Sequence, residues 1–359
     1  MSSDREMPKM KSTLAVLWLV CMLGCRERVF QDTLPNDFQL ISINGLIHNA
    51  EGPYFVEIHE TQEADRPPIP VGHAQVTLLD GHGNHELCLY EEDGKYACPG
   101  ISVRGVPGGE YQIEVQVDGD TYTSTQEIMP GVLGTNRLEW EERPVPRTSQ
   151  SGIDVEETLV VFDMFAELPE VTAPTYMVWQ MYETFQIRET DFPDPFGFIP
   201  PPCFITQNIG VQNFYTLPLT EFTGSNYYLG SVIERKIDIS FLVKHIFSIR
   251  QSSVTENYFN YLRNINTLTS ASGSLFDPPA GRVMGNISHE GDGLEPVGYF
   301  AAVMQDTTHS VIYQAELESF ILDLCIYEPF KREYPPICLD CLLVSNSTFD
   351  KPYWWDRVR

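Results

Sequence analysis

Between residues 39 and 125, apolar and polar residues alternate in short runs that Gly, Asn and Asp residues interrupt. Runs such as QLISINGLI, PYFVEIH and EYQIEVQV have the two-residue period of half-buried strands, because successive side chains of a strand point to opposite faces. In the last of these runs, Tyr111, Ile113, Val115 and Val117 fall on one face. Short strands at regular spacing, separated by turn residues, predict a β-sandwich over residues 39–125.

Three further regions follow the predicted sandwich. Residues 126–152 are rich in Pro, Gly and polar residues, and we interpret them as a linker. Residues 153–335 contain longer apolar runs, among them ETLVVFDMFAEL and KIDISFLVKHIFSI, and are expected to form a second, β-rich domain. Residues 336–359 form a C-terminal tail that contains cysteines. The predicted fold class is therefore mainly β, with an immunoglobulin-like sandwich first.

One of the longer runs, TYMVWQMYETFQI, mixes large apolar and polar side chains. Met177, Trp179 and Met181 are apolar, whereas Gln180 and Glu183 are polar. We interpret this pattern as a strand in a sheet with one buried face.

A single segment of the second domain has helical periodicity. Apolar residues recur every three or four positions, at Val254, Tyr258, Tyr261, Leu262, Ile265 and Leu268. Ser253 and Glu256 have the spacing of a capping box, in which each side chain accepts a hydrogen bond from a free backbone N–H. The main helix is therefore expected near residues 252–268.

The N-terminus has the organisation of a secretory signal peptide. A basic start, with Arg5, Lys9 and Lys11, precedes the uncharged run LAVLWLVCMLG. A membrane-spanning helix needs about 20 apolar residues, so this run is too short to be a permanent anchor. Because Cys25 comes next and MLGC resembles a bacterial lipobox, we predict a signal peptide over residues 1–24, lipidation of Cys25 and a tether over residues 25–38.

The charge balance argues against one class of partner. The chain contains 50 Asp and Glu residues against 23 Lys and Arg, for a formal net charge of −27. Proteins that bind nucleic acid or anionic lipid through their surface need clustered positive charge. We therefore expect no nucleic-acid partner and a well-solvated acidic surface.

Six cysteines remain for disulfide formation if Cys21 is removed with the signal peptide and Cys25 is acylated. An even number in an exported chain favours disulfides, here among Cys88, Cys98, Cys203, Cys325, Cys338 and Cys341. Cys88 and Cys98 flank a hairpin turn signal, Asp93-Gly94, which would place them opposite each other on paired strands. The other four cysteines allow three pairings, and the sequence does not choose among them.

Two further patterns suggest chemistry. Cys338 and Cys341 have the CxxC spacing of thiol oxidoreductases, but such motifs open a helix after a strand, whereas prolines precede this one and a polar tail follows it. We interpret it as a structural clasp. A zinc site would need a second ligand pair, and His82 and His85 lie in a predicted turn without a third ligand. We predict no metal, no cofactor and no catalytic residue.

The chain resembles a lipoprotein family of Bacteroidota that is catalogued as domain of unknown function 4249. The resemblance extends over nearly all of the predicted mature chain and includes Gly52-Pro53-Tyr54, the run VGHAQV and the tail cysteines. Its most characteristic segment follows the predicted helix, and the prolines and glycines of the run FDPPAGRVMGN predict a rigid loop there. The matching residues there are Gly273, Phe276, Asp277, Pro278, Gly285, Asn286, Gly298, Tyr299 and Phe300.

The resemblance implies an outer-membrane lipoprotein with a transthyretin-like N-terminal sandwich and a β-rich C-terminal domain. It also implies an accessory partner of TonB-dependent, SusC-like outer-membrane transporters, and it assigns no catalytic residues. The cell surface is the expected side of the membrane. Cys25 is nevertheless followed by Arg26-Glu27-Arg28 rather than by the acidic residues typical of surface export, so the periplasmic face stays open.

Three classes of function follow from the sequence. The first is a non-catalytic, lipid-anchored binding partner of an outer-membrane transporter. The second is a structural or adhesive protein of the envelope. The third is an enzyme, either a carbohydrate-active hydrolase, which would need two carboxylates at a defined separation, or a thiol oxidoreductase that uses Cys338 and Cys341.

Overall fold

The alternating segments of the sequence form strands throughout the residues that the computed structural model describes. These residues are 40–62, 66–148, 152–168, 174–193, 195–210, 214–219, 226–269, 283–291 and 293–358. The first nine strands are β1 (Ile41–His48), β2 (Tyr54–Glu60), β3 (Ile69–Pro70), β4 (Gln75–Asp80), β5 (His85–Tyr90), β6 (Lys95–Cys98), β7 (Glu110–Val117), β8 (Asp120–Ser124) and β9 (Glu127–Ile128). The predicted signal peptide, the tether and Cys25 lie outside the described residues.

The later strands are on average longer. They are β10 (Thr135–Thr148), β11 (Asp154–Glu167), β12 (Tyr176–Ile187), β13 (Cys203–Asn208), β14 (Tyr215–Pro218), β15 (Asn226–Lys236), β16 (Lys244–Val254), β17 (Ile287–His289), β18 (Phe300–Tyr313) and β19 (Ser347–Thr348). Helix α1 (Glu256–Thr269) follows β16, and short 3₁₀ turns occupy Ile239–Phe241, Gln314–Glu316, Pro336–Cys338 and Cys341–Leu343. In the described part of the chain, no helix has the length and hydropathy that a membrane span requires.

The first nine strands build the β-sandwich that the alternation predicts. Strands β8, β7, β4 and β5 pair in that order on one side, β6, β2 and β1 pair on the other, and β5 also pairs with β6. The inward faces of both sheets share one apolar core, in which Ile43 and Val56 meet Val76 and Ile113. Tyr111, Ile113, Val115 and Val117 are all buried, as predicted.

The sandwich continues without a break into the C-terminal half. Strand β1 pairs in parallel with β18, and β18 is followed by β16, β12, β13 and β19 in the same sheet. The short strand β17 returns to pair with β8 at the far edge of the sandwich. Leu40–Arg359 therefore form one compact unit, because the sheet itself joins the two halves.

The predicted linker, residues 126–152, is largely strand. Thr135–Thr148 form β10, an outer strand of a three-stranded sheet with the order β10, β11, β15. Pro144 and Pro146, which suggested a linker, are tolerated because an edge strand needs hydrogen bonds on one side only. Leu138 and Trp140 pack against the core between this sheet and β12 and β16. The interpretation of 126–152 as a linker is therefore wrong for most of its length.

The prediction that β12 has one buried face is wrong, because Val178 and Thr184 on the opposite face are buried too, and Val178 packs against α1. Met177, Trp179 and Met181 are fully buried, as expected. Glu183, however, is an odd-numbered residue on the same side of the strand, and its side chain is fully buried with them. The polar Glu183 is therefore a buried side chain on the same face as the apolar residues of the strand.

Helix α1 begins later than predicted. Residues 252–254 still belong to β16, where Ser253 pairs with Met177 of β12 and Met304 of β18. The capping box at Ser253 is therefore wrong: Thr255 caps the helix, and its hydroxyl accepts a hydrogen bond from the backbone N–H of Tyr258. The helix buries Phe259 and Leu262 against the face of β12, β16 and β18 that lies opposite the three-stranded sheet.

Three disulfides join the six described cysteines. Cys88 and Cys98 are bonded as predicted, across β5 and β6. The other two bonds are Cys203–Cys341 and Cys325–Cys338. The two cysteines of the CxxC motif thus bind different partners, and both fasten the C-terminal tail to the rest of the fold.

Candidate functional site

The described residues of the family-like segment surround one buried carboxylate. Glu127 of β9 accepts hydrogen bonds from the hydroxyls of Thr255 and Tyr299, both at 2.7 Å, and from the amide of Asn286 at 3.3 Å. Burial raises the pKa of Glu127, and these three hydrogen bonds only partly oppose the shift. Because Thr255 caps α1, the carboxylate joins the N-terminal sandwich to the helix.

The glycines of this segment permit close backbone contacts. A Cβ atom on Gly285 would lie 1.6 Å from the carbonyl oxygen of Gly298, and one on Gly298 would lie 2.0 Å from that of Ile43. The Asn286 amide holds Phe300 through both of its backbone polar groups. These contacts seat the start of β18 beside β1, so the role visible here is structural.

Other predicted site residues fall in two groups. Gly273, Phe276, Asp277 and Pro278 lie outside the described residues, as Cys25 does. Gly285, Asn286, Gly298, Tyr299 and Phe300 come together as described above, and of these only Tyr299 also lines an open cleft. Among the described residues, no group of three or more His, Cys, Asp or Glu side chains is arranged to hold a metal ion.

A mixed aromatic and polar cleft of about 480 Å³ lies where β1 and β2 meet β12, β16 and α1. We call it the aromatic cleft. Tyr258 and Tyr261 of α1 form one wall together with Tyr299, and each of their rings lies 5.0 Å from the Tyr299 ring. Its other lining residues are Asn44, Gly45, Leu46, His48, Phe55, Glu57, Gln180, Tyr182, Phe214, Arg250 and Gln305.

A second group of functional-type residues lies largely inside the protein, where Glu183 and His245 are fully buried and Arg235 is 19 % exposed. Glu183 accepts hydrogen bonds from Arg235 Nε at 2.7 Å and from His245 Nε2 at 2.8 Å, and the other ring nitrogen of His245 lies 3.2 Å from the hydroxyl of Ser240. Burial lowers the pKa of His245 despite the adjacent carboxylate. Burial alone would raise the pKa of Glu183, but the His245 hydrogen bond and the charges nearby outweigh it and lower that pKa.

The consistent protonation state is an Arg235–Glu183 ion pair beside a neutral imidazole. His245 then donates a hydrogen bond from Nε2–H to Glu183, and its Nδ1 accepts a hydrogen bond from the Ser240 hydroxyl. The order serine, histidine, carboxylate is that of a hydrolase triad. Ser240, however, is 2 % exposed, and its hydroxyl also accepts from Arg235 at 3.3 Å, so the group stabilises the packing of β12, β15 and β16.

The segment after β18, which the Cys203–Cys341 and Cys325–Cys338 disulfides hold in place, carries an exposed apolar surface. We call this surface, formed by residues 320–330 and 339–343, the clasped end. Phe320 is 89 % exposed and Phe330 96 % exposed. Beside them runs a groove of about 870 Å³ whose acidic lining residues are Glu189, Asp191, Asp323 and Glu328.

Sequence reasoning missed both the cluster around Glu183 and the aromatic cleft. The sequence analysis groups Glu183 with the polar Gln180, although the odd position of Glu183, shared with Met181, places it with the core. Arg250 and Gln305 are separated by 55 positions and reach the same cleft only through strand pairing. No local signal in the sequence marks that contact.

Comparisons with known proteins give limited information. No curated protein matches the sequence. Among solved structures, a partial N-terminal region of Enterococcal surface protein matches with 10 % identity over 62 % of this chain and 93 % of that chain. Its TM-score is 0.14, so the match supports no inference about fold or function.

A family model covers most of the chain. The model described as "Domain of unknown function (DUF4249)" matches residues 27–309. The matched region begins just after the predicted lipidation site, contains the whole N-terminal sandwich and ends within β18. The chain therefore belongs to the DUF4249 family.

Proposed function

We propose that the protein is a non-catalytic lipoprotein of the outer membrane that serves as an accessory partner of a TonB-dependent, SusC-like transporter. The observation that carries this proposal is the clasped end. Large exposed apolar side chains lie there, at Phe320, Leu322, Ile326 and Phe330, in the segment after β18 that two disulfides hold in place. Concentrated apolar exposure on a folded protein is typical of a binding surface.

The charge and the apolar side chains of the clasped end suit a protein partner. Its groove combines apolar residues with Glu189, Asp191, Asp323 and Glu328, so a partner that inserts apolar side chains and has basic residues around them would complement it. Three disulfides among the described cysteines favour an oxidising compartment outside the cytoplasm. Lipidation of Cys25 would attach the protein to the membrane.

Co-purification from native membranes tests this proposal. The full-length lipidated chain is extracted in mild detergent, and the recovered proteins are identified by mass spectrometry. We expect a TonB-dependent barrel in near-equal amount. A double variant, Phe320→Ser with Phe330→Ser, should lose the barrel, whereas Ile101→Ser, which alters a 75 % exposed residue of the N-terminal sandwich, should keep it. Recovery of this chain alone, or retention of the barrel by the double variant, would refute the proposal.

The catalytic alternatives have a separate test. A serine hydrolase built on Ser240, His245 and Glu183 would react with a fluorophosphonate probe, whereas a buried structural hydroxyl would not. We expect no labelling of the native protein. Labelling that disappears in Ser240→Ala would favour the hydrolase. For the redox alternative, Cys338 and Cys341 are bonded to Cys325 and Cys203, so we expect no dithiol exchange between the two.

A further inference from the structure

We propose that the aromatic cleft is a binding site for a sugar ring, either a monosaccharide or one residue of a glycan. This inference goes beyond the transporter partnership, since the cleft does not include the clasped end. The cleft lies at the junction of the N-terminal sandwich and the C-terminal sheet, and junctions of this kind are common positions for small-molecule sites.

The floor of the cleft is one face of the continuous sheet. Gln180 of β12 pairs with Arg250 of β16, and Gln305 of β18 pairs with Ser252, two residues further along β16. Because paired residues and residues two apart share a face, Gln180, Arg250 and Gln305 all project from the same side. Tyr182, two residues after Gln180, projects with them and lies under the Arg250 guanidinium, 4.8 Å from ring to Cζ.

Two polar atoms of the residues that form this floor have no partner within the described part of the chain. Arg250 Nε and Gln305 Oε1 are both buried and make no hydrogen bond to any described residue. Buried polar groups are nearly always satisfied, and each one left alone costs about 1–3 kcal/mol. One atom is a donor and the other an acceptor. A hydroxyl can both accept and donate, so a polyhydroxylated ligand matches this pair, whereas a hydrocarbon ligand would leave both unsatisfied.

The walls supply flat apolar surface. Tyr258 and Tyr261 lie nearly parallel, with an interplanar angle of 18°, and Tyr299 packs against both rings. Phe55, paired with Leu46 across β1 and β2, lines the side that belongs to the sandwich. A sugar ring presents C–H groups on its faces and hydroxyls at its rim. It can therefore stack on tyrosines while its hydroxyls reach amide and guanidinium groups on the floor.

The remaining charges are compatible with a neutral or an acidic sugar. Burial and the nearby Arg250 charge lower the pKa of His48, so its imidazole is neutral near pH 7; because Nδ1 accepts from the backbone N–H of Ala50, Nε2–H is the group left to donate. Arg250 is the single Lys or Arg among the described lining residues, and Glu57 is the single carboxylate. A uronic acid would add a charged contact with Arg250, whereas a neutral hexose would use hydroxyls alone.

The test uses the folded mature chain, residues 25–359, on an array of neutral and uronic-acid-containing glycans. Isothermal titration with the corresponding mono- and disaccharides then gives affinities. We expect saturable binding of at least one of the two sugar classes, neutral or uronic-acid-containing. Tyr261→Ala should weaken it about tenfold, as loss of a central contact residue typically does. Gln305→Leu keeps the side-chain volume, removes the acceptor and should weaken binding similarly.

Matched controls keep the result interpretable. Tyr353→Ala removes an 83 % exposed tyrosine outside the cleft and should leave affinity unchanged. Circular dichroism and thermal melting of every variant establish that it is folded. Absence of binding to all sugars by the folded wild type would overturn the proposal. Binding that survives unchanged in both folded cleft variants would also overturn it, because the site would then lie elsewhere.

Discussion

The three disulfides offer a quantitative test of the fold, because they close loops of very different length. Cys203 and Cys341 are 138 positions apart, whereas Cys88 and Cys98 are 10 apart. The chain-entropy model of a cross-link gives about 5 kcal/mol for the long loop and about 2.7 kcal/mol for the short one. The long disulfide should therefore stabilise the folded state by about 2 kcal/mol more.

The test compares two variants, each of which lacks one disulfide. One variant carries Cys203→Ala and Cys341→Ala, and the other carries Cys88→Ala and Cys98→Ala. All four side chains are buried, so the packing lost on truncation is similar in the two variants. The difference between the variants then isolates the effect of loop length. Urea unfolding followed by tryptophan fluorescence, at one pH and without reductant, measures the free energy of unfolding of each.

Equal losses in the two variants would refute the reasoning. So would a larger loss when Cys88 and Cys98 are replaced. Either result would mean that the tail is held by its packing, for example by the buried Trp355 against Phe204, rather than by the cross-link.

Three further predictions concern buried groups. Glu183→Gln should lower the free energy of unfolding by about 1–3 kcal/mol, because it removes the buried carboxylate that accepts from His245 and Arg235, although Arg235, 19 % exposed, keeps its ion pair with Asp238; no measurable loss in urea unfolding would contradict this. Burial lowers the pKa of His245, so its imidazole stays neutral in the folded state, whereas in the unfolded chain it takes up a proton below about pH 6.5. The stability due to this neutral imidazole is complete above that pH and declines as the pH falls toward the folded-state pKa. His245→Gln should reduce the difference in unfolding free energy between pH 7.5 and pH 5. An unchanged difference would contradict the assignment of a neutral imidazole to His245 in the folded protein. Gly285→Ala should lower the melting temperature, because the new Cβ would collide with the Gly298 carbonyl. The control Gly131→Ala should leave the melting temperature nearly unchanged, because a Cβ there meets nothing closer than 3.6 Å. Equal shifts in the two variants would argue against the close approach of Gly285 to Gly298.

Features set by neighbouring residues were predictable from the sequence. The turn at Asp93-Gly94 placed Cys88 opposite Cys98, and the two-residue period of β7 placed Tyr111 and Ile113 in the core. The single described helix was also predicted, although its start was placed too early. In each case the information lies within about a dozen residues, so local turn chemistry or periodicity is sufficient.

Features set by distant pairing were not predictable. His245 and Arg235 reach Glu183 from 62 and 52 positions away, and neither has a local pattern that announces an ion pair. Residues 126–152 were misinterpreted for a related reason. Prolines and charges in β10 resemble those of a linker until the neighbouring strand β11 is known, and only then does the alternation of Leu138 and Trp140 acquire a buried face.

The same limit applies to the aromatic cleft. Its floor draws on β12, β16 and β18, and its wall on α1, so the site exists only once those elements are paired and packed. Tyr258 and Tyr261 were predicted to lie on the apolar stripe of the helix. Their second role, as a cleft wall, depends on Tyr299, which lies 38 positions beyond Tyr261.

The account depends most on lipid attachment of the chain to the cell envelope. Mass spectrometry of the N-terminal peptide from the native membrane fraction measures this directly. We predict a chain that starts at Cys25, with a diacylglyceryl group on its thiol and a further acyl chain on its amine. A free thiol at that cysteine, or an intact leader on protein recovered from the cytosol, would contradict the account.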